Sequence, residues 1–265
     1  MAFHFHQDRI IYFNQQVENA KDFVIPFITS VCPIPSQSRV LEIGCGEGGV
    51  LKAFVDHGCM GVGVELSEHK YQLAKEFLQD YTSNNTIKLL RKNIYDVDFY
   101  QEMDGLFDFI ILKDVIEHIH DQQLIMEKLK TFLKPSGKIF LGFPPWQMPF
   151  GGHQQICNNK LLSILPYYHL LPTFVYKTIL NWGGESKQIV DDLIEIKQTG
   201  ISLERFERIV SATDYKITKK LFYLINPIYK YKFGLTPRRQ FGFISKIPWL
   251  RNFVTTCAYY LLEQK

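Results

Sequence analysis

The sequence predicts an α/β protein with a doubly wound sheet of seven mostly parallel strands and helices on both faces. Three observations lead to this prediction. Short apolar runs typical of buried strands alternate with segments of helical periodicity between residues 39 and 143. A glycine-rich turn, Gly44 to Gly49, follows the first run. A carboxylate, Glu65, ends the second run, 21 positions after Gly44.

The composition is typical of a globular protein. Hydrophobic residues make up 46% and charged residues 22% of the 265 positions, which suits a packed core. Neither a bilayer-spanning apolar run nor a signal-peptide pattern occurs. The five cysteines contain no C-x-x-C pair, as expected in a reducing compartment. We therefore expect a cytoplasmic protein, and the spacing of cysteines and histidines predicts no metal site.

The first half of the chain predicts an N-terminal helix followed by strands and helices in turn. Ile10, Phe13 and Val17 recur at helical spacing near the start of the chain. Pro33 and Pro35 separate this helix from the first strand. Helices are expected at 8–30, 50–55 and 69–81, and strands at 40–43, 61–66 and 87–91.

The second half completes the sheet and adds two insertions. Strands are expected at 107–113, 138–143, 216–226 and 255–263, with helices at 122–133 and 202–210. This gives a core at 1–143, a lid insertion at 144–200 and a completion of the core at 201–265 with a second insertion at 228–254. The insertions are rich in aromatic residues, which we expect to line an apolar pocket with Arg238 and Arg239 at its rim. The expected aromatics are Trp146, Phe150, Tyr167, Tyr168, Phe174, Tyr176, Trp182, Phe241 and Phe243.

The glycine turn is preceded by an acid in the pattern Glu42-x-Gly44-x-Gly46-x-Gly48. A carboxylate at this position would repel a pyrophosphate but attract the ammonium group of an amino acid. Residues 38–142 resemble the class I S-adenosylmethionine (SAM)-dependent methyltransferases, whose signature is E/D-x-G-x-G-x-G. The resemblance implies a Rossmann-like domain that binds SAM and releases S-adenosylhomocysteine.

The resemblance also implies which residues bind SAM. The glycine turn lies against the methionine part, Glu65 holds the ribose hydroxyls, Asn93 bonds the adenine amine and Ile94 packs on the ring. An aromatic of the N-terminal helix covers the cofactor. The expected cofactor-binding residues are Tyr12, Glu42, Gly44, Cys45, Gly46, Gly48, Glu65, Leu66, Asn93, Ile94 and Lys113.

Two histidines are candidate catalytic residues. His153 lies on the loop after the fifth strand and is the leading candidate for a general base, with His118 as the second. For each the alternative is structural: His153 bonding backbone groups, and His118 packing a helix start beside Glu117. No N-P-P-Y-like tetrad, typical of adenine and amide methylation, follows the fourth strand, where the sequence is Lys113-Asp114-Val115-Ile116. The sequence therefore favours methylation of oxygen on a small molecule, glycan or lipid precursor, and no nucleic-acid partner.

Two other functions are compatible with the sequence. One is a nicotinamide-dependent oxidoreductase or epimerase of Rossmann type, and the other is a non-catalytic partner subunit with the same fold. The region from Tyr215 onward holds ten Lys/Arg, one acid and many aromatics. This basic aromatic region suits either weak contact with a membrane surface or a solvated edge of the fold. The sequence does not determine the oligomeric state.

Overall fold

The computed structural model describes residues 9–96 and 99–265. Its strands are β1 (Arg39–Ile43), β2 (Met60–Val64), β3 (Ile87–Leu90), β4 (Phe107–Lys113), β5 (Leu133–Phe143), β6 (Tyr215–Ile225), β7 (Arg238–Arg239) and β8 (Cys257–Gln264). They form one eight-stranded sheet in the order β3-β2-β1-β4-β5-β8-β6-β7.

The described helices lie between the strands and in the two predicted insertions. They are α1 (Arg9–Asn19), α2 (Ile25–Thr29), α3 (Gly49–Asp56), α4 (Glu68–Phe77), α5 (Gln79–Ser83), α6 (Gln122–Leu129), α7 (Lys160–Ile164), α8 (Thr173–Trp182), α9 (Lys187–Thr199), α10 (Leu203–Ala212), α11 (Tyr229–Phe233), α12 (Gly242–Ser245) and α13 (Leu250–Val254). A π-helical turn, Ala20–Val24, joins α1 to α2, so the predicted N-terminal helix is continuous. No helix of the described residues is long and apolar enough to span a membrane.

The parallel pairing gathers the chemically important residues at one edge of the sheet. Strands β1 to β5 pair in parallel, whereas β8 runs antiparallel between β5 and β6. Ile43 at the end of β1 pairs with Val64 of β2 and Leu112 of β4. The residues that follow these ends therefore lie side by side, which is where open parallel sheets bind ligands.

The doubly wound fold predicted from sequence is confirmed, with eight strands instead of seven. The extra strand, β7, is only two residues long and lies inside the predicted second insertion. A two-residue strand has no apolar periodicity and gives no sequence signal. Helix α9 was also missed, although its capping residue Ser186 accepts a hydrogen bond from Ile189 N–H, as sequence rules would predict.

The core consists of one apolar layer on each face of the sheet and a smaller cluster in the first insertion. The two layers pack helices onto the strands. The smaller cluster contains Cys157, Leu162, Tyr168, Tyr176, Leu180, Val190 and Leu193. The first insertion therefore has its own packed core, which fixes the loop that follows β5.

Candidate active site

The glycine turn after β1 has backbone angles that suit glycine. Gly44 has φ +67° and Gly46 has φ +56°. A Cβ atom on Gly44 would lie 2.7 Å from Val115 Cγ2, so the turn packs tightly against the chain after β4. A Cβ atom on Gly46 would meet nothing within 4 Å among the described residues. The backbone at Gly46 is thus open to a ligand.

Glu65 links the glycine turn to the end of β2. Its Oε2 accepts a hydrogen bond from Gly46 N–H at 2.9 Å, and its Oε1 accepts one from Ser67 N–H at 2.8 Å. The side chain is buried, while the neighbouring Leu66 is 65% exposed. Glu65 therefore positions the turn, and Leu66 presents an apolar surface beside it.

Glu42 is a buried carboxyl group with an unused acceptor. Its Oε2 is buried and has no hydrogen-bond partner in the part of the chain that the structure describes. Burial raises the pKa of Glu42 to about 8, with Glu65 contributing and Lys113 opposing. A buried acceptor without a partner is costly, so this carboxyl suits a cationic ligand.

A cavity of about 250 Å³ opens beside Glu42 and the turn, and we call it the cofactor cavity. Its lining residues are Arg9, Tyr12, Phe13, Gln16, Glu42, Gly44, Cys45, Gly46, Glu47, Gly49, Val50, Lys70, Lys113 and Asp114. Tyr12 reaches it from α1, where its hydroxyl accepts a hydrogen bond from Gln16 Nε2 at 2.6 Å. Arg9 Nη1 pairs with Glu47 Oε1 at 3.1 Å on the same wall. Sequence reasoning missed Arg9 and Glu47.

Three other predicted cofactor-binding residues differ in how accessible their side chains are to a ligand. The Cys45 side chain is buried near Gly63, so it offers the cavity little beyond its backbone. Asn93 is exposed after β3, and its Oδ1 accepts a hydrogen bond from Tyr95 N–H at 3.1 Å. Ile94 is only 6% exposed and packs into the core. Of the two predicted adenine contacts, Asn93 is exposed, whereas Ile94 is buried.

Lys113 and Asp114 form an ion pair at the end of β4, in which the lysine side chain is 6% exposed and the aspartate side chain is 41% exposed. Lys113 Nζ lies 2.5 Å from Asp114 Oδ2. The pKa of Lys113 is raised above its usual value. Burial alone would lower this pKa, but the negative charges of Asp114 and Tyr12 have the larger, opposite effect. Burial likewise opposes ionisation of Asp114, whose pKa is nevertheless lowered by the charge and hydrogen bond of Lys113. Asp114 has φ +56°, a strained value that its N–H bond to Gly142 O at 2.7 Å helps to hold.

A second cavity of about 490 Å³ lies on the other side of Asp114, and we call it the acceptor cavity. Its walls are mainly apolar and come from both predicted insertions. The lining residues are Asp114, Glu117, Pro144, Met148, Pro149, Phe150, His153, Gln155, Ile156, Ser163, Ile164, Asn226, Ile228, Tyr229, Lys232, Phe233, Leu235 and Thr256. Asp114 lines both cavities, so the two meet at this residue.

The two candidate histidines face each other beside the acceptor cavity. The rings of His118 and His153 are 4.9 Å apart in an edge-to-face arrangement. Burial lowers the pKa of His153 to about 4, with His118 and His169 contributing. Burial also lowers the pKa of His118. His153 is therefore neutral at pH 7, and as a proton acceptor it is weaker than an ordinary histidine.

The aromatic lining expected from the insertions is mostly wrong. Of the nine aromatics expected there, Phe150 lines the acceptor cavity, and two further aromatics of the second insertion, Tyr229 and Phe233, line it as well. Tyr168 and Tyr176 instead form the insertion's own core, while Phe174 and Trp182 are 74% and 86% exposed. A high aromatic content indicates that a segment packs against other residues. It does not indicate whether the aromatic side chains face the acceptor cavity, the insertion's own core or solvent.

The cationic rim expected at Arg238 and Arg239 is also misplaced. Both residues form the exposed edge strand β7, and neither lines the acceptor cavity. Lys232 lines it instead, and burial lowers the pKa of this lysine to about 8. A wider groove of about 1000 Å³, at the opposite end of the sheet near Arg39 and Met60, includes none of the predicted site residues.

The residues of the cofactor cavity fit SAM. The buried, unused Oε2 of Glu42 suits the ammonium of the methionine part, and the space beside Gly46 admits a ligand against the backbone. Glu65 does not line the cofactor cavity itself, but it accepts the hydrogen bond of Gly46, which does. Each Glu65 oxygen accepts one described hydrogen bond, so each can accept another from a ribose hydroxyl.

Comparison with known proteins identifies the same family. Residues 15–155 match the sequence profile of the methyltransferase domain family. The chain is 29% identical over 102 residues to the ubiquinone biosynthesis O-methyltransferase of Coxiella burnetii, covering 38% of this chain and 42% of that protein. It is 27% identical over 158 residues to the protein of the same name from Pseudomonas aeruginosa, covering 59% and 66%. The match thus spans less than half the length of the first of these relatives.

Solved structures agree at the level of the fold. The chain is similar to a putative sarcosine dimethylglycine methyltransferase from Galdieria sulphuraria, with a TM-score of 0.58 and 13% identity over 91% of this chain and 84% of that one. It is also similar to the plantazolicin methyltransferase BpumL, whose structure contains S-adenosylhomocysteine, with a TM-score of 0.57 and 14% identity over 98% and 88%. From the profile match, the fold and the glycine turn with its acids, we conclude that the chain belongs to the class I SAM-dependent methyltransferases.

Proposed function

We propose that the chain transfers the methyl group of SAM to a hydroxyl oxygen of a small, largely apolar acceptor bound in the acceptor cavity. The observation that supports this most is the position of Asp114, which lines both the cofactor cavity and the acceptor cavity. An acceptor in the second cavity would therefore lie next to a cofactor in the first. The names of the relatives, ubiquinone biosynthesis O-methyltransferases, favour oxygen as the methylated atom.

SAM supplies a methyl group on a positively charged sulfur, so the methyl is already activated for transfer. The chain's task on the cofactor side is to bind and orient. Glu42, which lines the cofactor cavity, would bind the ammonium of the methionine part, and Tyr12 would close the cavity from α1. Glu65, which is hydrogen-bonded to the cavity residue Gly46, would bind the ribose. Such orientation can contribute up to roughly 7–11 kcal/mol to lowering the barrier.

On the acceptor side the walls exclude water and the polar groups fix the orientation. Met148, Phe150 and Ile228 provide apolar surface. Asp114 and Lys232 provide charge at the same cavity. We infer that the acceptor is apolar or ring-bearing, and that Lys232 holds an anionic group if the acceptor carries one.

The test is a methyl-transfer assay with labelled SAM and a panel of phenols, sugar alcohols and isoprenoid alcohols as acceptors. Amines and nucleic acid are assayed in the same way as acceptors of other chemical classes. We expect label in hydroxyl-bearing small molecules, with S-adenosylhomocysteine formed in equal amount. Transfer to amines or nucleic acid alone would contradict the proposed acceptor.

A matched pair of variants tests the location of the acceptor. Ile156→Arg places a charged side chain at the acceptor cavity and is expected to abolish transfer with SAM affinity retained. Leu161→Arg changes a 67% exposed residue of the same insertion outside the cavity and is the control. Equal activity of the two variants would show that the acceptor binds elsewhere.

A further inference from the structure

Three side chains converge on one point at the wall of the acceptor cavity. Each of Glu117, His118 and His153 offers one donor atom, and these three atoms all lie within 4.8 Å of one another. Glu117 and His118 belong to a 3₁₀ turn, Ile116–His118, that follows β4, whereas His153 comes from the loop after β5. Sequence spacing did not reveal the cluster, because the two segments are brought together only by the pairing of β4 with β5.

Glu117 is the member of this cluster that most needs a partner. The residue is 5% exposed, and neither carboxylate oxygen has a hydrogen-bond partner among residues 9–96 and 99–265. Buried polar groups are nearly always paired, because leaving a carboxyl unpaired costs the hydration that it has lost. The turn cannot easily move away, since Gln122 Nε2 donates to Ile116 O at 3.2 Å and to Thr199 O at 2.6 Å.

His153 is fixed in position by the first insertion. The residue has φ +54°, and its N–H donates to Phe150 O at 3.1 Å. The preceding Gly152 packs against the His169 side chain so closely that a Cβ atom there would clash. Glycine at this position thus serves close packing rather than flexibility. A strained, tightly held histidine facing an unpaired carboxylate suggests a binding role.

We propose that Glu117, His118 and His153 bind one divalent transition-metal ion at the wall of the acceptor cavity. Two imidazoles and one carboxylate are a donor set that suits Zn²⁺, Fe²⁺, Mn²⁺ and Co²⁺ and leaves coordination positions open. Donors at about 2.1 Å from a metal lie roughly 3–4 Å from one another, so small side-chain rotations would close the site. His118 is exposed, so such a rotation of its side chain would not have to displace the core.

The expected role of the metal in the reaction rests on the proposed function. The metal site itself is inferred independently of that function. Glu117 and His153 both line the acceptor cavity, so a metal ion that they held would lie next to a bound acceptor. Such an ion would act as a Lewis acid that favours loss of the acceptor hydroxyl's proton to water. The oxygen then forms a bond to the methyl carbon as the carbon–sulfur bond breaks, and the electron pair of that bond stays on sulfur as S-adenosylhomocysteine leaves.

Direct metal binding is the test, and it needs neither SAM nor acceptor. The full chain carrying His4→Ala and His6→Ala, which removes histidines outside the described residues, is stripped with a chelator and titrated with Co²⁺. We expect one equivalent to bind with a visible absorption spectrum, and Zn²⁺ to displace it. His118→Ala and His153→Ala should each weaken binding by roughly tenfold or more.

The matched control is His120→Ala, which removes an exposed histidine two positions away that pairs with Glu195 at 3.5 Å. This variant should bind Co²⁺ as the parent does. Circular dichroism and SAM affinity check that each variant is folded. Absence of stoichiometric binding in the folded parent, or unchanged binding in His118→Ala and His153→Ala, overturns the metal site.

The role in the reaction is tested separately in the methyl-transfer assay. Metal-free protein should show a turnover at least tenfold lower, restored by added metal, with SAM affinity unchanged. Stoichiometric binding combined with full turnover of the metal-free protein overturns the catalytic role alone. Absence of any methyl transfer, with or without metal, contradicts the proposed function. The metal site is then judged from the Co²⁺ titration alone.

Discussion

Binding of SAM is expected to release a proton from Glu42 near neutral pH. Burial raises the pKa of this carboxyl to about 8, so at pH 7 about nine-tenths of the unliganded protein carries a proton there. The ammonium group of a bound methionine moiety favours the ionised carboxylate and lowers its pKa. The proton therefore leaves as the ligand binds, and SAM affinity rises with pH until about pH 8.

Calorimetry in buffers of different ionisation enthalpy measures this release. We expect Glu42→Gln to bind SAM more weakly and to release about 0.9 proton fewer per ligand than the wild type at pH 7. Any change in protonation of the SAM amine contributes equally to both proteins, so it cancels in the difference between the wild type and Glu42→Gln. Between pH 6 and 8 the affinity of the wild type should rise relative to that of Glu42→Gln, by up to about tenfold per pH unit.

The reasoning fails if the two proteins exchange equal numbers of protons on binding SAM. It also fails if Glu42→Gln retains wild-type affinity across this pH range. Either result would mean that Glu42 does not contact the ammonium and that its unused Oε2 has another explanation.

Three further predictions concern other parts of the molecule. Glu65→Ala should weaken SAM binding by about 1.5–3 kcal/mol, and unchanged affinity by calorimetry would contradict the ribose assignment. Lys232→Ala should raise the Michaelis constant of an anionic acceptor, whereas Arg238→Ala, on an edge strand away from the cavity, should not. Phe243→Ala combined with Trp249→Ala should reduce sedimentation with anionic vesicles at unchanged SAM affinity, because both aromatics are exposed in the basic aromatic region. Equal sedimentation of wild type and this double variant would favour a solvated edge.

The cofactor side of the site is predictable from sequence because its signals are local. A glycine turn between a strand and a helix, with an acid at the end of the next strand, fixes its geometry within about 25 residues. Parallel pairing then places Gly46 and Glu65 in direct contact, as their 2.9 Å hydrogen bond shows. Lys113 falls at the same edge for the same reason.

The acceptor side is not predictable in this way, because it is assembled from segments far apart in the chain. His153 meets His118 only through the pairing of β4 with β5 and the packing of the first insertion. Tyr176 and Trp182 belong to one helix, yet one is fully buried and the other is 86% exposed. Composition alone therefore assigned both to a pocket that neither lines.

The measurement that tests the account most directly is calorimetry of the unmodified chain with SAM, S-adenosylhomocysteine and NAD. Glu42, the open backbone at Gly46 and Glu65 together predict one site of at least micromolar affinity for the first two ligands and no binding of NAD. Heat of binding with NAD and none with SAM would contradict the assignment of the cofactor cavity, and with it the proposed methyl transfer.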